Sequence, residues 1–122
     1  MSDQRLNFKE MCERFDVTPR TLRYYEYIEL LSPDRDGRAR YYGARELARM
    51  TLILRGRRFG FGLEEIRQWL ELYEARGTRA QMETFITLAD RQLATLRAQK
   101  AELEDTILDL ERLREETASS LT

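Results

Sequence analysis

Residues 18–26 read TPRTLRYYE, and the fold of the chain turns on how this stretch is read. It predicts a short helix with a defined start. The Thr18 hydroxyl can accept an orphan backbone N–H as N-cap, and Pro19 at the first helical position loses no intrahelical bond. From there the side chains sort onto two faces. Arg20, Arg23, Tyr24 and Tyr27 fall at i, i+3, i+4 and i+7 and share one side. Thr21, Leu22, Tyr25 and Ile28 lie mainly on the other, the side that would meet a core. Cations interleaved with phenols suit nucleic acid, because a guanidinium bonds phosphates or guanine edges and a tyrosine reaches phosphate or sugar. This helix alone is equally compatible with a solvated face carrying two arginines. Its neighbours decide.

Upstream, Phe8, Met11, Cys12 and Phe15 are spaced i, i+3, i+4 and i+7, which predicts a first short helix with one apolar side. Cys12 sits inside that stripe, so its expected role is a small buried side chain. Asp16-Val17 then turns into the next helix. Two short helices joined this closely, the second with outward cations, outline a helix-turn-helix. Downstream, Ser32-Pro33-Asp34-Arg35-Asp36-Gly37 is rich in breakers, and Arg38-Ala39-Arg40-Tyr41-Tyr42 alternates. A small β-hairpin, or wing, is expected, with Arg38, Arg40 and Tyr42 on one face of its second strand. Helical period resumes over Ala44 to Arg55, with Leu47, Met50, Ile53 and Leu54 inward. Gly56 to Gly62 is expected to break it and to present Arg57 and Arg58 on a second loop. Gly62 would then cap a helix from Leu63 to Tyr73 whose buried stripe is Ile66, Trp69, Leu70 and Tyr73. The loop lies beside a helix N-terminus, which itself favours anions.

The net charge of −1 hides a division. Residues 1–62 carry 13 Arg/Lys against 9 Asp/Glu, a net of +4, and residues 63–122 carry 8 against 13, a net of −5. Arg35 to Arg58 holds eight arginines against only Asp36 and Glu46. A basic block beside an acidic arm favours a nucleic-acid partner more than the overall balance opposes it. With one cysteine and no histidine, an intrachain disulfide is excluded and a soft-ligand metal site is not expected. The start, MSDQRLNFKE, lacks the apolar segment of a secretory signal, so a cytoplasmic, nucleoid-associated protein is expected, with no membrane partner.

Residues 75–78 read as a linker between a DNA-binding domain, 1–74, and one long helix, 79–118, with a frayed tail at 119–122. The long helix contains neither Gly nor Pro. Met82, Ala89, Leu96, Leu103 and Leu110 fit d positions, and Ile86, Leu93, Lys100 and Ile107 fit a positions, a heptad seam with one polar break. Such a helix would be ~60 Å long and cannot bury its stripe on so small a domain. A homodimeric coiled coil is expected.

Three pieces taken in order resemble the MerR family of bacterial transcription regulators: VTPRTLRYYE at 17–26, LLSPDRDGRARYY at 30–42 and LILRGRRFGFGLEEI at 52–66. The long helix completes the pattern. The resemblance implies a mainly α fold, a winged helix-turn-helix DNA-binding domain followed by an antiparallel coiled-coil dimerisation helix. It further implies a homodimer on a pseudo-palindromic promoter site that activates by distorting the DNA for RNA polymerase. No cofactor is expected, since the cysteines that metal- and redox-sensing members carry near the end of the dimerisation helix are missing here. By the same resemblance Arg23, Tyr24 and Tyr25 are recognition-helix contacts, and Arg20 sits where members vary to choose bases. Thr18 and Tyr27 flank these contacts. Arg40 and Tyr42 match the wing and Arg57 the second wing, with Arg38 and Arg58 as their neighbours. TLILRGRRFGFGLEEIRQWLELYE at 51–74 is similar to regulators of branched-chain amino-acid or fatty-acid breakdown.

The pattern has departures. Glu29 stands where many members have a glycine ending the recognition helix, so the approach to the wing is expected to be built differently. Gly62 replaces a Ser or Thr cap, and Ala39 a frequent wing tyrosine. An architectural DNA-bending protein on the same fold, and a protein-interaction module in which the coil does the work, are the other readings. Enzyme activity is the weakest, since no nucleophile–base pair, phosphate loop or metal set is visible.

Overall fold

The computed structural model describes residues 5–75 and 77–122; Arg76, in the expected linker, and the Tyr73 side chain, in the expected α-helical stripe, lie outside the described residues. The chain divides into two compact units, one ending at Gly77 and one beginning at Thr78. The first runs β1 (Leu6–Asn7), α1 (Phe8–Phe15), α2 (Pro19–Tyr27), β2 (Asp34–Asp36), β3 (Ala39–Tyr42), α3 (Ala44–Phe59) and α4 (Leu63–Glu74).

Local chemistry sets the helix ends. The Asn7 side chain accepts the Glu10 N–H at 2.8 Å while the Glu10 carboxylate accepts the Asn7 N–H at 3.0 Å, so two orphan donors of α1 are satisfied reciprocally. Thr18 Oγ1 accepts the Thr21 N–H at 3.1 Å, and Pro19 opens α2 as the sequence predicts. At its far end Glu29 adopts φ 64°, and Leu30 N–H closes back on Tyr25 O at 2.9 Å. The left-handed exit that a glycine usually makes is therefore present with a glutamate in it. The expected difference in backbone is absent, and what remains is a strain of ~1–2 kcal/mol for a side chain in this conformation.

The wing is the hairpin β2–β3, antiparallel with Arg35 opposite Arg40. A third strand, β1, pairs antiparallel with the other edge of β3, giving the order β1-β3-β2. Two residues are too few to show alternation, which is why β1 leaves no trace in the sequence pattern. A larger correction concerns Gly56. It does not end a helix. α3 runs through it to Phe59 and stops at Gly60, φ 90°. Gly56 is buried, and a Cβ there would lie 2.8 Å from Ile66 Cγ1 and 3.2 Å from the Trp69 ring, so the missing side chain lets α3 and α4 approach. Arg57 and Arg58 consequently stand on the last turn of α3, not in a loop.

The core of this unit gathers Met11, Leu22, Leu30, Leu31, Tyr42, Met50, Ile53, Ile66 and Leu70, all fully buried. Phe59, Phe61 and Trp69 close its edge with ring centroids 5.7–6.4 Å apart. The second unit is one helix, α5 (Arg79–Ser119), one residue longer than expected. Thr78 and Gln81 cap its start reciprocally at 3.1 and 2.8 Å. Among the described residues no helix is long and apolar enough to cross a membrane.

Candidate nucleic-acid interface

The two faces read from TPRTLRYYE are the two faces of α2. Leu22 and Tyr25 are buried, while Arg20, Arg23, Tyr24 and Tyr27 are exposed, Tyr27 at 83%. The exposed side lines an open groove with Thr21, the edge of Tyr25, and two residues from elsewhere in the chain, Arg57 and Leu63. Arg57 comes from the end of α3 and Leu63 opens α4. Three guanidiniums and three phenols thus line one groove with no carboxylate among them, next to helix α4's N-terminus. Gly62 caps that helix without a side chain, and of the two acids in its first turn, Glu64 and Glu65, the second accepts the Gly62 N–H at 2.8 Å. An anion is the complementary ligand.

The wing is arranged differently from the sequence expectation. Alternation does place Arg40 and Tyr42 on one face of β3, but that face turns inward. Tyr42 is fully buried and donates its hydroxyl to the Glu26 carboxylate. Burial first, and that hydrogen bond second, push its phenol well above the ordinary tyrosine range, so it stays a donor. The expected surface contact by Tyr42 is thereby corrected to a core role. Arg40 is part-buried, its Nε 3.3 Å from Glu26 Oε1, although that N–H finds no well-aligned acceptor. Arg38 lies in the exposed hairpin turn and Arg58 is exposed on α3. Tyr25, which faced two ways in the sequence, is core with an edge at the groove. Thr18 is exposed, its hydroxyl engaged as cap and bonded to Thr21 Oγ1 at 2.9 Å. Cys12 is half-buried, and burial raises its thiol above the ordinary value.

The family model described as "MerR, DNA binding" matches residues 47–116, and the one described as "MerR HTH family regulatory protein" matches residues 6–73. The chain belongs to the MerR family. It is a DNA-binding transcription regulator with a winged helix-turn-helix, as the sequence resemblance implied. Among relatives, the HTH-type transcriptional regulator HmrR of Rhizobium leguminosarum bv. viciae is 34% identical over 108 residues, covering 84% of each chain. The HTH-type transcriptional regulator CueR of Yersinia pestis is 30% identical over 111 residues, 89% of this chain and 73% of its own. These relatives are regulators, not enzymes. A MerR-family transcriptional regulator from Bacillus cereus superposes with a TM-score of 0.70 at 25% identity, covering 89% of this chain and 79% of that one. HiNmlR, a MerR family regulator lacking the sensor domain and solved bound to promoter DNA, shares the fold at a TM-score of 0.66 and 23% identity over 85% of this chain and 79% of its own.

In this MerR-family chain the seam residues of α5 are uncovered. Exposure ranges from 38% at Leu96 to 65% at Leu110, with Met82, Ile86, Leu93, Leu103 and Ile107 between, and Ala89 half-exposed. Lys100 is also exposed, with Nζ 3.9 Å from Glu104 one turn on. Polar groups that sequence reading passed over hold the exit of the recognition helix. Arg49 Nε donates to Leu30 O at 2.7 Å, Arg67 to Ile28 O, and Glu46 accepts the Ser32 N–H at 2.9 Å. Glu74, the last residue of α4, accepts from Arg49 at 2.7 Å and from Arg45 at 3.0 Å.

Proposed function

We propose that this regulator binds a pseudo-palindromic promoter site as a homodimer and activates transcription by distorting the DNA into a form RNA polymerase can use. It would act in the cytoplasm, at the nucleoid. The groove carries the reading: Arg20, Arg23, Tyr24, Tyr27 and Arg57 converge there with no acid among them. Tyr25 also lines it, Thr18 caps the start of the same helix, and Arg38 and Arg58 would meet flanking phosphates. The uncovered seam of α5 supports the homodimer, since an amphipathic helix of this length exposes its stripe to water unless a second copy covers it. Two copies would place two recognition helices at a fixed spacing, which a two-half-site operator requires.

The test separates positioning from reading. Arg23→Ala is expected to weaken selected and random duplex alike and to lower the log–log salt slope by about one, as loss of one phosphate contact does. Arg20→Ala is expected to cost ~1–3 kcal/mol on the selected duplex and to relax one base position. Unchanged slope and unchanged base preference in both variants would remove α2 from the DNA.

A further inference from the structure

Glu26 stands at the wrong end of α2. A carboxylate in the last turn of a helix faces the negative end of the dipole, and here that turn carries no basic residue. It is also nearly buried, its side chain 8% exposed. One hydroxyl donor and two cations from the wing compensate it. Tyr42, on β3, gives its hydroxyl; Arg40, also on β3, lies 3.3 Å away; Arg35, on β2, lies 3.8 Å away. One carboxylate on the recognition helix therefore gathers both strands of the wing. A second contact runs through Phe8, whose ring carries the Arg23 guanidinium at 5.2 Å and the Arg40 guanidinium at 5.3 Å from its centroid. A cation of the recognition helix and a cation of the wing share one aromatic ring.

We propose that Glu26 is a positioning residue for DNA selectivity: it clamps the wing to the recognition helix and holds Arg40 away from the phosphates. This rests on the DNA-binding reading above. Arg40 can turn to a phosphate only by leaving the Glu26 carboxylate, which would keep Tyr42 and the more distant Arg35 but lose its nearer cation. A nearly buried charge left with less compensation opposes that move. Its work is then to fix geometry. With the wing held at one angle, base edges and flanking phosphates must be met together, and a duplex of the wrong sequence or shape fits less well. Charge alone would have favoured the opposite arrangement, with Arg40 free and affinity for any duplex higher. The clamp gives up that affinity for discrimination.

The experiment uses the full chain and two probes, a duplex that the wild-type chain enriches from a randomised library and an unselected duplex of the same length. Glu26→Gln keeps an acceptor for Tyr42 and removes the charge. It is expected to retain or raise affinity for the unselected duplex and to steepen the log–log salt slope by about one, because Arg40 is released to a phosphate. The enriched-to-unselected affinity ratio is expected to fall about tenfold, the scale of one lost base-pair preference. Arg40→Gln alone is expected to leave the slope unchanged while lowering the ratio, and in the Glu26→Gln background to return the slope to the wild-type value. General loosening of the fold would lower affinity without that recovery. Should Glu26→Gln not fold, Arg40→Gln decides: a slope lower by about one, or an unaltered ratio, overturns the proposal. So does a Glu26→Gln chain with both slope and ratio unaltered. A wild-type chain that enriches no duplex would instead overturn the DNA-binding reading itself, and this inference with it.

Discussion

In the unit ending at Gly77, nine large side chains among the described residues are fully buried, whereas α5 runs 41 residues without burying one. The two regions obtain stability from different sources. The first closes a core around Met11, Leu22, Tyr42 and Ile66, and ties its loops down with Arg49, Arg67 and Glu46. The second has good ends, a Thr78 cap and no glycine or proline, yet its leucines and isoleucines face water. Local propensity can draw such a helix, but most of its stability has to come from packing its stripe against something. The first unit presents the DNA-binding groove. The second leaves an apolar stripe that, in the proposed homodimer, a second copy would cover.

Cutting between the two units is expected to have the largest effect. A chain ending at Gly77 is expected to keep its core, to sediment as a monomer, and to bind the enriched duplex about 10²–10⁴-fold more weakly than the full chain, because the second half-site is no longer engaged intramolecularly. Full affinity or dimerisation in the shortened chain would move the interface out of α5.

Gly56 sharpens the comparison from the other side. In an uncovered helix Gly→Ala gains up to ~1 kcal/mol of helix propensity. Within α3 the new methyl would meet Ile66 at 2.8 Å and Trp69 at 3.2 Å. Overpacking of this kind costs ~1–3 kcal/mol and outweighs the gain. Gly56→Ala is therefore expected to lower the melting temperature by several degrees for a domain of this size, with the salt slope of DNA binding unchanged. A raised melting temperature would mean that α3 and α4 pack less closely than they do here.

The smallest effect is electrostatic. Burial alone would raise the Glu74 carboxyl, but the Arg49 and Arg45 guanidiniums bonded to it hold it below the ordinary value. Because its folded pKa is the lower one, its stabilising contribution is complete above the unfolded value of ~4.3 and is lost as the pH falls through the folded value. Glu74→Gln is expected to be less stable than wild type at neutral pH, with the gap closing below about pH 4. Denaturant titrations across that range check it, and a gap independent of pH would contradict the assignment.

How much of this the sequence discloses depends on the kind of signal. TPRTLRYYE announces its cap, its two faces and its outward cations, because helical period and cap chemistry are local. The long helix α5 is equally open to reading, since neither Gly nor Pro interrupts it. Gly56 is not, since a glycine that breaks a helix and one that admits a neighbouring helix look alike until the neighbour is in place. Alternation told that Arg40 and Tyr42 share a face and could not tell that the face is inward. That depends on Glu26, sixteen residues from Tyr42. The buried Arg49 did leave a trace. Glu46, Arg49, Met50 and Ile53 stand at i, i+3, i+4 and i+7, so two opposite charges share the buried face. Charges on an apolar stripe mark burial with partners off that stripe, here Arg45 and the Ser32 N–H for Glu46, and Glu74 and Leu30 O for Arg49. The count of basic residues in the same block conceals that signal.

In the proposed complex two recognition faces, held by α5, read two half-sites together. Hydroxyl-radical footprinting of the full chain on its enriched duplex tests it most directly. Two protected patches related by two-fold symmetry are expected, on one side of the duplex and spaced by about one helical turn or a multiple of it. One asymmetric patch, or protection spread evenly along the duplex, would contradict it.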